Sequence, residues 1–333
     1  MKKVSLSDLA TELGVSKTLV SLVLNGKGNQ YGINKDVQEK VKEKAIELNY
    51  RPNQTARSLR SGKTYTLGLM LGDLNDNYQS NICKNIETIA ATKGYNVLIS
   101  SLGDSTKDKL TSIISKSVDG VIVSSDLQDE SFNKLIKNGF PVVMVDHKLG
   151  NQETNFVGLD YAEIIYQNSI HLLKKGRTQI AIAFDQKNTN QFMSSVIKGA
   201  EKALLEFGFK KDSLIILSID AKDRSEVSNV IKEVKANNPE LKALISTNDV
   251  LTLKLVEALS EMDIKIPSDF SVISLYDHEV FPFIFPKVSA NKTPYKEIAE
   301  YTMDLLLNQM NGKEKTELKS VELLSELVER SSC

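Results

Sequence analysis

The sequence predicts a small all-α head followed by a larger α/β body with parallel sheets flanked by helices. A glycine separates two short amphipathic helical patterns near the N-terminus, and apolar Val, Ile and Leu runs alternate with helical patterns over most of the chain. A chain of 333 residues is long enough for two or three domains. We assign residues 1–50 to a helix-turn-helix domain, 51–64 to a hinge or linker and 65–333 to the body.

Composition is that of a globular protein, with 41% hydrophobic and 26% charged residues. The sequence has no apolar run long enough to cross a membrane, and the segment after Met1 is too polar for a secretory signal. Cys83 and Cys333 cannot make a disulfide framework. We therefore expect a cytoplasmic protein.

Charge is distributed unevenly along the chain. Residues 1–62 contain eleven Lys or Arg and six Asp or Glu, a balance of +5, whereas the rest of the chain carries −6. A basic head on an acidic body indicates that only the head binds a polyanion such as DNA. A chance fluctuation of surface charge explains the same numbers equally well.

The head contains a helix, a glycine turn and a second helix. Leu6, Leu9, Ala10 and Leu13 share one helical face, and Gly14 can take the left-handed conformation that ends a helix. The second helix begins after Ser16 and turns Leu19, Val20, Val23 and Leu24 inward, and a third is expected at about 35–49. This spacing is typical of a helix-turn-helix, although an ordinary helical hairpin has the same pattern.

The second helix of such a motif lies in the major groove of DNA. Lys17 and Thr18 face outward on its first turn, where lysine can donate to guanine and threonine can contact a thymine methyl. Ser16 and Asn25 suit phosphate contacts, which orient the domain without reading bases.

A second DNA contact is predicted after the head. Pro52-Asn53 begins a helix of barely two turns, which Gly62 ends. It carries Arg57 and Arg60 and exposes Leu59 between them. Insertion of Leu59 between base steps in the minor groove would bury it.

Several segments resemble the lactose- and galactose-repressor (LacI) family of transcription regulators. They are LSDLATELGVSKTLVSLVLNGKG at 6–28, LNYRPNQTARSLRSGKTYTLGL at 48–69, VDGVIV at 118–123, TNDV at 247–250, IPSDFSVISLYD at 266–277 and LVERSS at 327–332. The resemblance runs through the whole chain in order. It implies a two-lobed, periplasmic-binding-protein-like body, with lobes at about 65–160 plus 290–320 and about 161–289 plus 321–333.

The resemblance also implies roles for individual residues. Lys17 and Thr18 would read bases, and Ser16, Ser21 and Asn25 would contact the backbone or support the motif. Residues 53–61 would form a hinge helix with Leu59 as its lever and Ala56 where two hinge helices meet. The insert at 28–33 and Leu22 depart from the common pattern, so readout at the position of Leu22 would be apolar or absent. The body would form a homodimer and bind a sugar-like effector.

The body shows the alternation of strands and helices typical of parallel sheets covered on both faces. Strands are expected at 66–71, 96–101, 120–124, 141–145, 180–184, 214–219, 243–246 and 271–275. Helices are expected at 78–93, 106–116, 130–138, 160–175, 191–207, 223–237, 249–261 and 294–311.

Ligands of such sheets bind beyond the carboxyl ends of the strands. Polar and aromatic residues follow those ends, and our candidate effector contacts are Asp73, Asn77, Tyr78, Ser124, Asp146, Phe184, Asn248, Asp277 and Phe281. Such side chains suit a polyhydroxylated ligand, but Asp and Asn after strands are also common helix caps. The resemblance favours the ligand interpretation for the set. Val196 stands where family members usually carry arginine, and the loop at 72–79 also departs from the family pattern.

Three alternative functions are considered against the residues of the chain: a solute-binding protein, an enzyme and a regulator with a protein co-repressor. A periplasmic solute-binding protein would lack the basic head. An enzyme is not indicated, because His147, His171 and His278 lie far apart and no catalytic or phosphate-loop motif is present. We expect no cofactor and no metal. A regulator of carbohydrate genes that responds to a protein co-repressor instead of a sugar stays open.

Overall fold

The computed structural model describes residues 4–50, 58, 62–101, 107–124, 130–146, 154–186, 190–220, 223–312 and 318–333. The chain divides into two compact units, Met1–Tyr65 and Thr66–Cys333. We call them the head and the body. Most of the predicted hinge, including Asn53, Ala56, Arg57, Leu59 and Arg60, lies outside the described residues, and so does His147.

The head contains the three predicted helices. They are α1 (Leu6–Leu13), α2 (Lys17–Leu24) and α3 (Lys35–Glu47). Ser5 and Asp8 form a reciprocal capping box at the start of α1, and Gly14 ends it with a φ of 63°. The apolar stripes meet in a small core of Leu9, Ala10, Val20, Val23, Val41 and Ala45. This core fixes the angle between α1 and α2, and therefore which face of α2 stays in water.

One buried side-chain amide, that of Gln38, holds the insert at 28–33 against α3. Gln38 is 9% exposed, and its Nε2 donates to Asn29 Oδ1 at 2.9 Å and to the carbonyl of Ile33 at 2.8 Å. Its side chain lies so close to Gly28 that a Cβ there would overlap it. The insert is thus packed against α3, whereas Tyr31 at its tip is 60% exposed.

The body alternates strands and helices throughout. Its first part comprises β1 (Thr66–Leu71), α4 (Asn77–Thr92), β2 (Asn96–Ser101), α5 (Lys107–Ser115), β3 (Gly120–Ser124), α6 (Glu130–Lys137), β4 (Val142–Val145) and β5 (Asn155–Leu159). The next part comprises α7 (Tyr161–Lys174), β6 (Ile180–Asp185), α8 (Asn190–Glu206), a 3-10 turn (Lys211–Ser213), β7 (Leu214–Ile219), α9 (Arg224–Asn237), β8 (Ala243–Ser246), α10 (Asp249–Glu261) and β9 (Ser271–Ser274). The last part comprises β10 (Ser289–Lys292), α11 (Tyr295–Met310), β11 (Ser320–Leu323) and β12 (Glu326–Val328).

Among the described residues, the strands form two six-stranded sheets. The first has the order β11-β5-β4-β3-β1-β2 and is parallel. The second has the order β12-β10-β9-β8-β6-β7 and is parallel except for the β10–β12 pair. We call them the first and second lobe. Helix α11 packs on α4, β3 and β4, and therefore belongs to the first lobe.

The chain crosses between the lobes after β5, after β10 and after β11. The predicted fold class, an all-α head plus an α/β body with parallel sheets, is confirmed. Apart from the hinge helix, which lies outside the described residues, the predicted strands and helices agree with the structure to within one or two residues. Four strands, β5, β10, β11 and β12, were not predicted, because each is short and interrupted by Gly, Asn, Lys or Glu.

Candidate nucleic-acid interface and interlobe site

The first turn of α2 presents two polar side chains to solvent. Lys17 and Thr18 are both exposed, because Val20 and Val23 on the opposite face fill the core of the head. The Ser16 hydroxyl caps the helix by accepting a hydrogen bond from the amide of Leu19 at 3.1 Å. The helix start is therefore capped by a side chain, and it offers two side chains that can reach base edges.

The other head candidates lie farther along α2. The Nδ2 of Asn25 donates to the carbonyl of Ser21 at 2.7 Å and to its hydroxyl at 3.3 Å, so this amide closes the end of the helix. Leu22 is partly exposed beside them. Ser16, Lys17, Thr18, Ser21, Leu22 and Asn25 thus share one short helix, with the last two residues at its far end.

In the body, side chains from both lobes meet at the carboxyl ends of the strands. Asp146 directly follows β4, and it has a φ of 62°. Its carboxylate accepts a hydrogen bond from the Tyr78 hydroxyl and, at 3.4 Å, one from the Tyr161 hydroxyl. The Tyr276 hydroxyl in turn donates to Tyr161 at 3.0 Å. The network joins α4 and β4 of the first lobe to α7 and the end of β9 in the second.

Aromatic rings surround this network. The rings of Tyr78 and Tyr276 lie 4.8 Å apart across the lobes, and Tyr295 lies 5.5 Å from Tyr78. On the second lobe, Phe192 lies 4.7 Å from Tyr161 and 6.1 Å from Phe184. The ring faces and the phenol hydroxyls give a surface suited to a small polar ligand with apolar faces.

The environment of the network disfavours charge. Desolvation raises the pKa of Asp146 to about 7, although the hydrogen bonds from Tyr78, the Leu159 amide and Tyr161 oppose the shift. Desolvation and the nearby carboxylate also raise the pKa of Tyr78 and Tyr161 well above the ordinary phenol value. The tyrosines are therefore neutral donors at pH 7, whereas Asp146 exchanges between its neutral and charged forms.

Asp277 is held by an ion pair that the sequence analysis did not predict. Arg330 donates to both of its carboxylate oxygens, at 2.9 and 2.7 Å, and also to the Val288 carbonyl at 2.6 Å. The carbonyl of Asp277 lies 3.4 Å from Asn77 Nδ2 on the first lobe. Asn77 and Asp277 therefore meet across the lobes, but the Asp277 carboxylate is engaged with Arg330.

The remaining candidates divide into caps, core residues and one unpaired hydroxyl. Asp73 is exposed and accepts from the Asn75 amide at 2.9 Å, and Asn248 caps α10 by accepting from Leu251 at 2.9 Å. Phe281 lies in the hydrophobic core of the second lobe. Ser124 is fully buried, and its hydroxyl has no hydrogen-bond partner. Val196, on α8, is fully buried.

Tyr161 and Tyr295, two tyrosines near the network, were not predicted from the sequence. Tyr161 follows β5, a strand that lacks a clear sequence signal. Burial raises the pKa of Tyr295, and the charges of Asp249, which begins α10, and Asp76, which caps α4, raise it further. Asp76 and Asp249 follow the carboxyl ends of β1 and β8, where the sequence predicts ligand contacts.

Two sequence profiles match the chain. Residues 5–53 match the profile described as bacterial regulatory proteins, lacI family, and residues 170–333 match a periplasmic binding protein-like domain. Among the described residues, no helix combines the length and apolar character needed to span a bilayer. The part of the structure described here also holds no group of three or more His, Cys, Asp or Glu able to bind a metal ion.

Curated relatives extend over nearly the whole chain. The HTH-type transcriptional regulator RegA of Clostridium saccharobutylicum is 29% identical over 98% of both chains. Catabolite control protein A of Staphylococcus xylosus is 28% identical over 93% of this chain and 94% of its own. Both are named as regulators and neither as an enzyme.

Solved structures share the fold. The lac repressor dimer bound to operator and the anti-inducer ONPF superposes with a TM-score of 0.82 at 22% identity, covering 99% of each chain. The transcriptional regulator CelR in complex with cellobiose gives a TM-score of 0.71 at 21% identity, covering 99% of this chain and 100% of its own. At this identity the likeness concerns the fold.

Proposed function

We propose that this chain is a member of the LacI family of bacterial regulatory proteins, whose profile its residues 5–53 match, and that it is a sequence-specific transcription regulator. It binds a palindromic operator as a homodimer and responds to a small-molecule effector bound at the interlobe site. It acts in the cytoplasm, most simply as a repressor of genes for carbohydrate uptake or breakdown. The observation that carries the proposal is the exposed first turn of α2 on a head with its own hydrophobic core.

Operator reading rests on the chemistry of that turn. Lys17 is a point donor for guanine O6 or N7, and Thr18 offers a hydroxyl and a methyl to neighbouring bases. The excess of basic residues in the segment 1–62 supplies the phosphate attraction that any duplex contact needs. Two heads read two half-sites about one helical turn apart.

The hinge supplies the second contact. Leu59 would enter the minor groove at the centre of the palindrome, with Arg57 and Arg60 on the flanking backbone and Ala56 at the contact between two hinge helices. Asn53 would begin the hinge helix predicted from the sequence. These assignments rest on the sequence alone, since the five residues lie outside the described part of the chain.

Effector control follows from the contacts between the lobes. Tyr78, Asp146 and Asn77 of the first lobe meet Tyr161, Tyr276 and Asp277 of the second. A ligand seated among them changes the relative stability of two lobe arrangements only by the difference in its affinity for each. A change of lobe arrangement would then displace β1, which follows the hinge segment, and so change the distance between the two heads.

A dimer is supported by an exposed apolar segment of the second lobe. Phe283 and Phe285 are 87% and 94% exposed on the stretch between β9 and β10, with Val280 also exposed. Two neighbouring phenylalanines in water are costly, and a second copy of the same segment across a two-fold axis would cover both. We therefore assign this segment, 280–285, to the dimer contact.

Substitution of the lever residue tests the proposal. Leu59→Ala should weaken binding to a selected palindrome by at least about tenfold, because the wedge that opens the central step is lost. Binding to a scrambled duplex should change little, and fluorescence anisotropy with both duplexes measures the two affinities. Equal losses on both duplexes would contradict the role of Leu59. Failure of the unsubstituted protein to prefer the palindrome would contradict operator reading itself.

A further inference from the structure

The insert at 28–33 is a hydrogen-bonded part of the head that the proposed function leaves without a role. The amide of Lys27, just before it, donates to the carbonyl of Leu22 at 2.9 Å, and the amide of Tyr31 donates to the carbonyl of Lys27 at 3.2 Å. Leu22 belongs to the last turn of α2. Two successive backbone hydrogen bonds, each spanning about one helical turn, therefore connect the tip of the insert to α2, and they place the backbone of Tyr31 on the order of 10 Å from that turn.

The insert is also fixed to α3. The amide of Ile33 donates to the carbonyl of Gly28 at 2.9 Å, which closes the loop at its base. The buried amide of Gln38 donates to Asn29 on one side of the tip and to Ile33 on the other. Hydrogen bonds at both ends of the insert thus set where Tyr31 lies relative to α2 and α3.

Charge divides the head into two parts. All six carboxylates of residues 1–62 lie on α1 and α3: Asp8, Glu12, Asp36, Glu39, Glu43 and Glu47. On α3, two of these carboxylates pair with lysines of the same helix at 2.8 Å. Residues 13–35 contain three charged side chains, and all three are lysines: Lys17, Lys27 and Lys35. The cationic segment that begins at the exposed turn of α2 therefore continues through the insert, so a polyanion bound at one end is not repelled at the other.

The far end of α2 itself offers little to hold DNA. The amide of Asn25 is engaged with Ser21, and Leu22 has no side-chain donor. Beyond that end, Tyr31 is 60% exposed at the tip of the insert. A tyrosine hydroxyl can donate to a phosphate oxygen while its ring covers the neighbouring sugar, and a hydrogen bond to a charged acceptor is stronger than a neutral one.

We propose that the insert carries a further DNA contact, in which the Tyr31 hydroxyl donates to a backbone phosphate beyond the bases that face Lys17 and Thr18. This inference rests on the proposed function, because it takes α2 as the helix that lies in the major groove. The hinge helices would occupy the centre of the palindrome, so the stretch of backbone left for the insert is the outer flank of each half-site. The contact positions each head without reading sequence, and it lengthens the duplex that each head covers.

The test compares two duplexes that contain the same palindrome, obtained by selection from random DNA. The long duplex extends one helical turn, about ten base pairs, beyond each half-site, and the short duplex ends at the outermost base pair that selection enriches. Fluorescence anisotropy gives the Kd of the full-length protein for each. The unsubstituted protein should bind the long duplex more tightly, by about tenfold or more, because a dimer has two such contacts to lose.

Two variants isolate the hydroxyl. Tyr31→Phe keeps the ring and removes the donor, so it should weaken binding to the long duplex by about tenfold and leave binding to the short duplex nearly unchanged. Ile46→Ala truncates a side chain that is 80% exposed on α3, and it should change neither Kd. Because Tyr31 is exposed, thermal unfolding of Tyr31→Phe should match that of the unsubstituted protein, which separates loss of contact from loss of fold.

The other outcomes separate this inference from the proposed function. Equal weakening of Tyr31→Phe on both duplexes, or weakening on neither, would overturn the assignment of Tyr31 and leave the preference for the palindrome in place. A loss on the long duplex that disappears when only the flanking bases are changed would show that Tyr31 reads a base, against the backbone assignment. No preference of the unsubstituted protein for the palindrome over a scrambled duplex would overturn the proposed function, and this inference with it.

Discussion

The rings of Tyr78 and Tyr276 lie 4.8 Å apart, although one residue begins a helix of the first lobe and the other follows a strand of the second. The two lobes are therefore in contact at Tyr78, which also donates a hydrogen bond to Asp146. Any movement of one lobe on the other must separate these rings or slide them. The geometry of the interlobe site thus depends on the relative position of the lobes, and the same residues form a surface for a ligand.

The pH dependence of the unfolding free energy should reflect the ionisation of Asp146. Its pKa is about 7 in the folded protein and about 3.9 in an unfolded chain, so the folded state keeps a proton that the unfolded state has lost. The contribution of Asp146 to stability therefore falls as the pH rises from about 4 to about 7. Asp146→Asn resembles the protonated form, and it should gain stability relative to the unsubstituted protein over that range, by at most about 4 kcal/mol.

Urea unfolding at several pH values measures this difference, with Asp212→Asn as the control for a change in net charge. The account requires a difference that grows with pH and becomes constant above about 7. A difference between Asp146→Asn and the parent that stays flat from pH 4 to 8 would show that Asp146 titrates normally.

The ion pair of Asp277 and Arg330 should contribute strongly to stability. Arg330 follows the last strand, β12. It connects that strand to the segment after β9 through two hydrogen bonds to Asp277 and one to the Val288 carbonyl. Arg330→Met leaves a largely buried carboxylate without its partner, which should cost about 3 kcal/mol of unfolding free energy. The double variant with Asp277→Asn should recover part of that loss. Additive losses in the double variant, measured by urea unfolding, would mean that the two residues do not interact.

The exposed phenylalanines should control assembly. Replacing both Phe283 and Phe285 by Asp places like charges where two copies would meet, so the protein should become a monomer in light scattering coupled to gel filtration. Its affinity for the palindrome should fall more than its affinity for a single half-site. Leu205→Asp, at an exposed leucine on α8, is the control and should stay dimeric. A dimer that survives both Phe substitutions would place the interface elsewhere.

Base reading should depend on Lys17 at one position per half-site. Lys17→Ala removes a donor to guanine, so the preferred base there should lose about 1–3 kcal/mol of discrimination. Lys27→Ala, also exposed but beyond the end of α2, should weaken binding to all sequences similarly. Affinities for a set of single-base operator variants distinguish the two effects. An unchanged preference in Lys17→Ala would assign that lysine to a phosphate.

Local patterns were sufficient to predict the helices of the head and eight strands of the body. The contacts of α1 and α2 follow from spacing within one short segment, from Leu9 to Val20, with Gly14 between them. Strands such as β3 are continuous apolar runs, because both faces of a parallel sheet are covered. The short strand β5 contains Asn155 and Gly158, and it lacked that signal.

The interlobe site could be predicted only in part. The rule for strand ends found Tyr78 and Asp146, which lie 68 positions apart yet share a hydrogen bond. It could not reveal that Arg330, 53 positions beyond Asp277, would occupy that carboxylate. Nor could it separate caps such as Asn248 from groups with unused oxygens such as Asp249. Pairings between distant segments leave no periodic trace in the sequence.

Selection of binding sites from random duplex DNA tests the central claim, that the head reads an operator, most directly. The full-length protein is used at moderate salt, first without ligand and then with the pooled hexoses, amino sugars and hexose phosphates. The account predicts enrichment of a palindrome with a flexible pyrimidine–purine step at its centre, in at least one of the two conditions. Absence of any enriched sequence in both conditions would contradict the account, because a head with Lys17 and Thr18 on base edges must prefer some sequences to others.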